Sequence, residues 1–314
     1  MATASRAKKI TLALIIILIL ATLSTYILIP SSLPVSKIIY VHATPGGTSR
    51  TLSNENKWKE WWPTPNTQSP YAYNNFTFDP DRAVIDIMGV IIRNSGDSIY
   101  STIAILPLSI DSAAIQWKCS IQTGNNPITR VRQYFKAKQV KENMNDLFAQ
   151  LKPYLEKKEN IYGFPIQRTR VTDTVLITTT ITTNTQPQPA DIYTLIQKLR
   201  NYASGQDAKE MNYPMLNIYR ADSNRFETMV ALAINKSIPE TNDIKLRRMV
   251  PGNILIAEVK GGRHTIEETF RQLEHYLHDF RLIPPAKPFE SLVTDRLKET
   301  DTAKWVTRVY YPVL

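Results

Sequence analysis

The second half of the chain carries one pattern of secondary structure twice, and this repeat restricts the possible folds more than any other feature. Each copy reads as an apolar strand, an amphipathic helix and two further strands. A unit this small cannot bury a core alone, so we expect the two copies to pair across a pseudo-twofold axis. Such pairing leaves a cleft, and clefts of this kind bind small molecules. The predicted elements are residues 174–183, 190–203, 214–219 and 226–234 in the first copy, and 253–260, 265–280, 289–293 and 304–313 in the second.

An apolar segment near the N-terminus predicts a membrane anchor. Residues 10–29 contain no charged side chain, and Pro30 ends the segment. Twenty residues of helix at about 1.5 Å per residue cover roughly 30 Å, the thickness of a bilayer's hydrocarbon core. A cleaved signal peptide is the alternative, but its apolar core normally runs only about 7–15 residues and ends in small residues. We therefore expect an uncleaved, single-pass anchor.

The charges around this segment predict its orientation. Arg6, Lys8 and Lys9 precede the segment, whereas Lys37 is the only lysine or arginine among the fifteen residues that follow it. The positive-inside rule then leaves the N-terminus in the cytoplasm and places the rest of the chain outside it, in the periplasm of a bacterial cell. The predicted organisation is an N-terminus with anchor over residues 1–34, one domain over 35–158 and another over 159–314.

The composition is that of a globular protein, with 43% hydrophobic and 21% charged residues, and its net charge of +10 raises the question of nucleic-acid binding. The basic residues are spread over the whole chain, and no basic stripe or nucleic-acid-binding motif accompanies them. The sequence therefore predicts a mildly basic, solvated surface and no nucleic-acid partner. Without a helix-turn-helix segment, a signalling role would need a membrane or signalling protein as partner.

Cysteine and histidine usage predicts neither a metal nor a cofactor. Cys119 is the single cysteine, and it alternates with Ile115 and Trp117 on one strand face. This pattern favours a buried, inert thiol over a nucleophile. His275 and His278 lie one helical turn apart, but zinc sites need three or four ligands and no further acid or cysteine completes the set.

The first domain reads as a strand, a tryptophan-rich segment, a run of antiparallel strands and a long helix over about residues 138–157. In the segment LSNENKWKEWWP and the helix KENMNDLFAQLKPYLEK it resembles the SRPBCC (START-like, polyketide-cyclase-like) superfamily. The resemblance implies a helix-grip fold with an apolar cavity for a lipid-like or aromatic ligand. The alternative is that Trp58, Trp61 and Trp62 cap the core and side chains fill the cavity.

The second domain is similar to the GyrI-like effector-binding domain, which also occurs at the C-terminus of AraC-type regulators. The segments AEVKGGRHTIEETFRQLEHYLHDF and KWVTRVYYPVL carry the resemblance. It implies an α+β fold of two strand-helix-strand-strand repeats, with a cleft that binds small, often cationic or planar molecules. The candidate ligand-binding residues are Tyr219, Glu227, Glu258, Trp305, Arg308 and Tyr310.

Arg308 departs from the family pattern, which commonly has a glutamate in the last strand. If Arg308 faces the cleft, an anionic or neutral ligand fits better, because a guanidinium donates several fixed hydrogen bonds to carboxylate or phosphate. The alternative is that Arg308 pairs with a nearby acid such as Glu258 or Glu227.

These observations predict a membrane-anchored protein that binds a small organic ligand as a sensor, carrier or scavenger, without catalysis. Two alternatives stay open. One is a hydrolase or cyclase that acts on an apolar molecule with Glu227 or Glu258 in the cleft. The other is an envelope module with filled clefts, whose surface contacts another protein.

Overall fold

The computed structural model describes residues 2–64, 68–171, 174–222, 224–249 and 251–314, with the side chains of residues 2–9 left out. Arg6, Lys8 and Lys9, on which the predicted orientation depends, therefore lie outside the described side chains. The chain divides into two compact units, Met1–Lys157 and Lys158–Leu314. Each unit combines helices with one antiparallel sheet, so the fold class is α+β.

The apolar segment forms most of helix α1, Ala2–Leu28. By length and composition alone, its part Ile10–Leu28 could cross a membrane, and its mean hydropathy is 2.5. A signal sequence near an N-terminus has the same properties. The helix ends shortly before Pro30, which cannot continue a hydrogen-bonded turn.

A six-stranded sheet and the long helix α4 make up the rest of the first unit. The sequence predicts this helix over residues 138–157, but it begins eleven residues earlier at Pro127. The side chain of Asn126 caps it by accepting hydrogen bonds from the backbone N–H groups of Ile128 and Thr129. The sheet order is β1-β6-β5-β4-β3-β2. The elements are β1 Ser32–Val41, α2 Pro45–Ser53, α3 Glu55–Trp61, β2 Tyr71–Tyr73, β3 Phe76–Val84, β4 Ile87–Asn94, β5 Asp97–Pro107, β6 Ala113–Gln122 and α4 Pro127–Leu155.

Aromatic side chains fill the region between α4 and strands β3 and β6. Phe148 of α4 lies 5.6 Å from Trp117 of β6, which lies 5.7 Å from Phe78 of β3, between ring centroids. Phe78 in turn contacts Trp62, and Trp62 stacks on Trp58. All five are buried. Side chains thus occupy the middle of the place where the SRPBCC resemblance puts a cavity, which favours the alternative of a tryptophan-capped core. A pocket of about 560 Å³ lies to one side of it, between α4 and the edge strand β1.

The second unit contains one eight-stranded antiparallel sheet with the order β11-β8-β10-β9-β13-β14-β12-β7. Two series of elements, β8-α6-β9-β10 and β12-α7-β13-β14, follow one another along the chain. The six inner strands, named by their place in each series, read the same from both ends of the sheet, and β11 and β7 form its two edges. The elements are α5 Lys158–Tyr162, β7 Gln167–Val171, β8 Thr174–Thr183, α6 Pro189–Gly205, β9 Met215–Asp222, β10 Arg225–Ile234, β11 Lys245–Met249, β12 Gly252–Lys260, α7 Arg263–Phe280, β13 Phe289–Leu292 and β14 Val306–Val313.

Both long helices of this unit cover the same face of the sheet. A row of buried side chains crosses five neighbouring strands on that face, and α6 and α7 pack over it. Because side chains alternate along a strand, the residues between these point to the opposite face, which we call the open face. The buried row consists of Val230, Leu216, Glu290, Val309 and Ala257.

Candidate functional site

Two stacked aromatic rings stand at the middle of the open face. Phe289 of β13 and Tyr310 of β14 are register partners, and their ring centroids lie 4.9 Å apart at an interplanar angle of 6°. Phe289 lines a pocket on the β8–β10–β9 side, and Tyr310 lines a second pocket on the β12–β7 side. The stacked pair therefore separates two pockets on one sheet face.

The first region, which we call the methionine pocket, has a volume of about 230 Å³. Thioether side chains are flexible and polarisable, so they adapt to apolar ligands of different shape. Among its described lining residues the charged side chains are both basic, Arg247 and Lys287. Lys287 also lies over the ring of Tyr219, with its Nζ 4.6 Å from the ring centroid. The lining residues are Leu176, Thr178, Met215, Leu216, Asn217, Met229, Ala231, Arg247, Met249, Lys287, Pro288 and Phe289.

The second region, the arginine pocket, has a volume of about 520 Å³ and is more polar. Arg308 Nε donates a 2.8 Å hydrogen bond to Glu258 Oε2, which is the pairing that the sequence left open as an alternative. This bond raises the pKa of Arg308 above its ordinary value. The pair has no net charge, so neither partner offers an uncompensated charge to a ligand. The lining residues are Pro165, Gln167, Ile256, Glu258, Arg308 and Tyr310.

Replacing Arg308 by glutamine is expected to turn the arginine pocket into a cation site. The substitution removes the charge that compensates Glu258 and leaves its carboxylate beside the Phe289–Tyr310 stack. We expect the affinity for rhodamine 6G, a planar cation, to rise about fivefold, since a cation gains roughly 1 kcal/mol from such an aromatic and acidic setting. Fluorescence polarisation measures the change.

The matched control for this prediction is Arg271→Gln, which removes an arginine from an exposed pair with Glu268 on helix α7. It changes the net charge equally but lies on the helix that covers the other sheet face. If both variants bind the dye equally well, the effect comes from net charge and not from the arginine pocket.

Five of the six residues that the sequence proposes for ligand binding have side chains on the open face, and Trp305 does not. Trp305 precedes β14 and is buried, with its indole N–H donating a 2.8 Å hydrogen bond to the carbonyl of Glu299. Its ring also lies under the guanidinium of Arg296. Trp305 therefore follows the alternation of the helix-covered face and lines neither of the two pockets. The five on the open face are Tyr219, Glu227, Glu258, Arg308 and Tyr310.

The two candidate acids do not form a catalytic carboxylate pair. Glu227 lies on β10 and Glu258 on β12, and the strands β9, β13 and β14 separate them. At about 4.8 Å per strand step, the two backbones are roughly 19 Å apart. Glu227 is exposed opposite Tyr219, whereas Glu258 is bound to Arg308.

Neither a metal-ligand cluster nor a reactive Cys119 thiol is found in the described part of the chain. Among the described residues, no group of three or more histidine, cysteine, aspartate or glutamate side chains is placed to hold a metal ion. Burial raises the pKa of the Cys119 thiol to about 11, so the thiol stays protonated near neutral pH.

Sequence reasoning missed most of the methionine pocket. Arg247 and Met249 lie on β11, a strand that the sequence did not predict. Met215 and Met229 alternate with the buried Leu216 and Val230 on predicted strands, so the period of two could have placed them on the open face.

No family model and no curated protein matches the chain. Solved structures similar to it include the C-terminal domain of EcmrR, at 12% identity over 48% of this chain and 98% of that chain, with a TM-score of 0.42. Another is SAV2435 bound to tetraphenylphosphonium, at 16% identity over 48% and 94%, with a TM-score of 0.34. A third is a START superfamily protein from Mycobacterium smegmatis, at 16% identity over 39% and 97%, with a TM-score of 0.30. Because these TM-scores lie below 0.5, the proposals below rest on the geometry of this chain.

Proposed function

We propose that the second unit binds small organic anions in the methionine pocket. The observation that carries this proposal is an apolar pocket whose charged lining residues, among those described, are Arg247 and Lys287. A compact aromatic or aliphatic body would pack against the three methionines and Phe289. Its carboxylate, sulfonate or phosphate would lie at the rim, where a guanidinium and an ammonium can both donate hydrogen bonds.

The size and chemistry of the pocket restrict the ligand further. A volume of about 230 Å³ lies below the roughly 300–1,000 Å³ typical of drug-sized ligands, so the ligand is small. Asn217 Nδ2 already donates a 2.7 Å hydrogen bond to the carbonyl of Pro288, which keeps the segment carrying Lys287 against strand β9. The rim is thus held in place before a ligand binds, which lowers the entropic cost of binding.

The palindromic sheet order supports the view that the two series of elements are paired copies of one GyrI-like unit, related by an axis between β9 and β13. The length and composition of α1 support a membrane tether. The basic residues Arg6, Lys8 and Lys9 before it support an orientation with the two units outside the cytoplasm. A tethered binding protein of this kind would act as a sensor, carrier or scavenger without catalysis. The hydrolase alternative needs one cleft glutamate, but Glu258 is neutralised by Arg308 and Glu227 lines neither the methionine pocket nor the arginine pocket.

Naphthalene-2-sulfonate is expected to bind the full-length protein, and Lys287→Glu and Arg247→Glu are each expected to weaken its binding about tenfold. A tenfold loss corresponds to about 1.4 kcal/mol, a reasonable cost for replacing an attractive rim charge by a repulsive one. Isothermal titration calorimetry in discs of neutral lipid, with empty discs as reference, measures the affinity.

Two comparisons sharpen this experiment. The neutral analogue 2-naphthol should bind more weakly to the natural protein and should respond little to either substitution. The control Lys236→Glu changes an exposed lysine outside the pocket and alters the net charge equally. Equal losses with Lys236→Glu, or no sulfonate binding at all, would contradict the proposal.

A further inference from the structure

The start of helix α4 is fastened to the end of helix α1. Tyr26 Oη donates a 2.5 Å hydrogen bond to the carbonyl of Asn125, and the guanidinium of Arg130 lies 4.6 Å from the centre of the Tyr26 ring. Just before α4, Thr123 donates hydrogen bonds of 3.0 Å and 2.9 Å to the carbonyls of Ser31 and Pro30. These contacts hold the first turns of α4 beside the last turn of α1.

This attachment sets the depth of α4 relative to a membrane that α1 crosses. The 19 residues of Ile10–Leu28 span roughly 28 Å, about the thickness of the hydrocarbon core. Tyr26 then lies near the boundary of that core, where tyrosine rings are commonly found. Asn125 and the first turns of α4 consequently lie at the level of the lipid headgroups.

The first half of α4 exposes large apolar side chains at this place. Ile128 is 79% exposed, Phe135 58% and Tyr134 47%. Ile128 and Phe135 are seven residues apart and share one helix face, and the rings of Tyr134 and Phe135 make an edge contact at 5.7 Å. In water, such exposure of three large side chains on neighbouring turns is unfavourable, so it marks a contact surface.

The same stretch is strongly basic. Residues 127–141 contain five basic side chains and no acidic one. Arg130 and Lys136 are buried, against Tyr26 and Asp97 respectively. Of the other three, Arg132 and Lys138 are exposed within one turn of Phe135, and Lys141 is exposed on the turn that follows.

We infer that residues 128–141 of α4 form a second membrane contact, which binds the surface of an anionic lipid leaflet. Ile128, Tyr134 and Phe135 enter the interfacial layer, and the exposed basic side chains bind lipid phosphates. Continuity with the end of α1 and the excess of positive charge identify lipid as the occupant of this surface. The contact would fix the orientation of the first unit on the membrane, and it rests on the proposed tether by α1.

The depth of a fluorescent label tests this inference on the full-length protein. In a Cys119→Ser background, Ile128→Cys carries an NBD label, and quenching by nitroxide-labelled lipids is measured in lipid discs. The control position is Val84, which is 66% exposed in the β3–β4 hairpin. The strand register places this hairpin at the end of the sheet opposite Ser32 and Gln122, which adjoin α1.

We expect the label at 128 to be quenched at least about threefold more strongly in discs with anionic lipid than in neutral discs, because each exposed basic residue is attracted to a negative surface. The double variant Arg132→Glu/Lys138→Glu, which leaves Arg130 and Lys136 unchanged, should abolish this difference. The label at 84 should stay unquenched in both kinds of disc.

The outcomes separate this inference from the proposed tether. Retention of the protein in the discs with equal quenching at positions 128 and 84 overturns the lipid contact alone. Loss of the protein from the discs during gel filtration overturns the tether, and the lipid contact with it. Strong quenching at 128 that the double variant does not change overturns the role of the basic side chains.

Discussion

Replacing Glu290 by alanine is expected to destabilise the second unit by about 3–5 kcal/mol, the usual cost of leaving a buried charge without its partner. Glu290 lies in the buried row of the sheet between Leu216 and Val309, and only 2% of its surface is exposed. Its carboxylate accepts hydrogen bonds from Arg296 at 3.1 Å and from Arg263 at 2.5 Å. Without it, the buried Arg296 keeps its charge in a place that water does not reach.

The remaining partners of Arg296 do not compensate for this loss. Arg296 Nη2 also donates a 3.0 Å hydrogen bond to Thr307 Oγ1, and its guanidinium lies over the ring of Trp305. Both partners are neutral. They supply a hydrogen-bond acceptor and an aromatic face to the guanidinium of Arg296, but they do not compensate its positive charge. Hydrogen exchange of peptides that cover β13 and β14 in the full-length protein measures the loss of stability.

Glu258→Ala is the matched control, because it breaks a glutamate–arginine pair on the open face of the same sheet. The side chains of that pair are 54% and 39% exposed, and exposed pairs contribute only about 0.2–1 kcal/mol. In a second variant, Glu290→Leu with Arg296→Met, apolar side chains replace the buried pair, and we expect most of the stability to return. A loss for Glu290→Ala no larger than that for Glu258→Ala would show that the buried charges are solvated.

The sequence predicted the strands that bury one face and missed those that do not. Strand β8 has the predicted bounds, Thr174–Thr183, because Val175, Ile177 and Ile181 recur on one face at strand period. The edge strands β7 and β11, with the sequences QRTRV and KLRRM, were not predicted, since an edge strand needs no buried stripe. The basic first turns of α4 were missed likewise, because they carry no continuous apolar stripe that would predict a helix.

The candidate site was predictable only as far as strand alternation reaches. Alternation placed Arg308 and Tyr310 on one face and Trp305 on the other, although all three were proposed as ligand-binding residues. It could not predict which strands are neighbours, so the stacking of Phe289 on Tyr310 across β13 and β14 was not foreseen. The burial of Glu290 depends in the same way on the position of β13 between β9 and β14.

Trp117→Ala is expected to destabilise the first unit by about 3–5 kcal/mol, as large-to-small substitutions of core aromatic residues do. Trp117 is fully buried, and its ring contacts Phe78 on one side and Phe148 on the other. Its indole N–H donates a 3.0 Å hydrogen bond to Ser101 Oγ. Removing the indole therefore leaves a void between α4 and the sheet. Hydrogen exchange of peptides that cover β5 and β6 measures the effect.

This prediction decides between a filled core and a ligand cavity in the first unit. If the space between α4 and the sheet were a START-like cavity, Trp117 would line it, and its removal would enlarge the cavity at a small cost in stability. Because aromatic side chains surround Trp117, alanine instead removes the central contact of the cluster. Trp117→Phe keeps ring contacts with Phe78 and Phe148, so we expect it to cost about 1–1.5 kcal/mol.

Tyr100→Ala, at a residue 74% exposed on β5, should change stability by less than about 0.5 kcal/mol. A loss for Trp117→Ala close to that of Tyr100→Ala would favour the cavity and would return the first unit to the list of candidate ligand-binding sites.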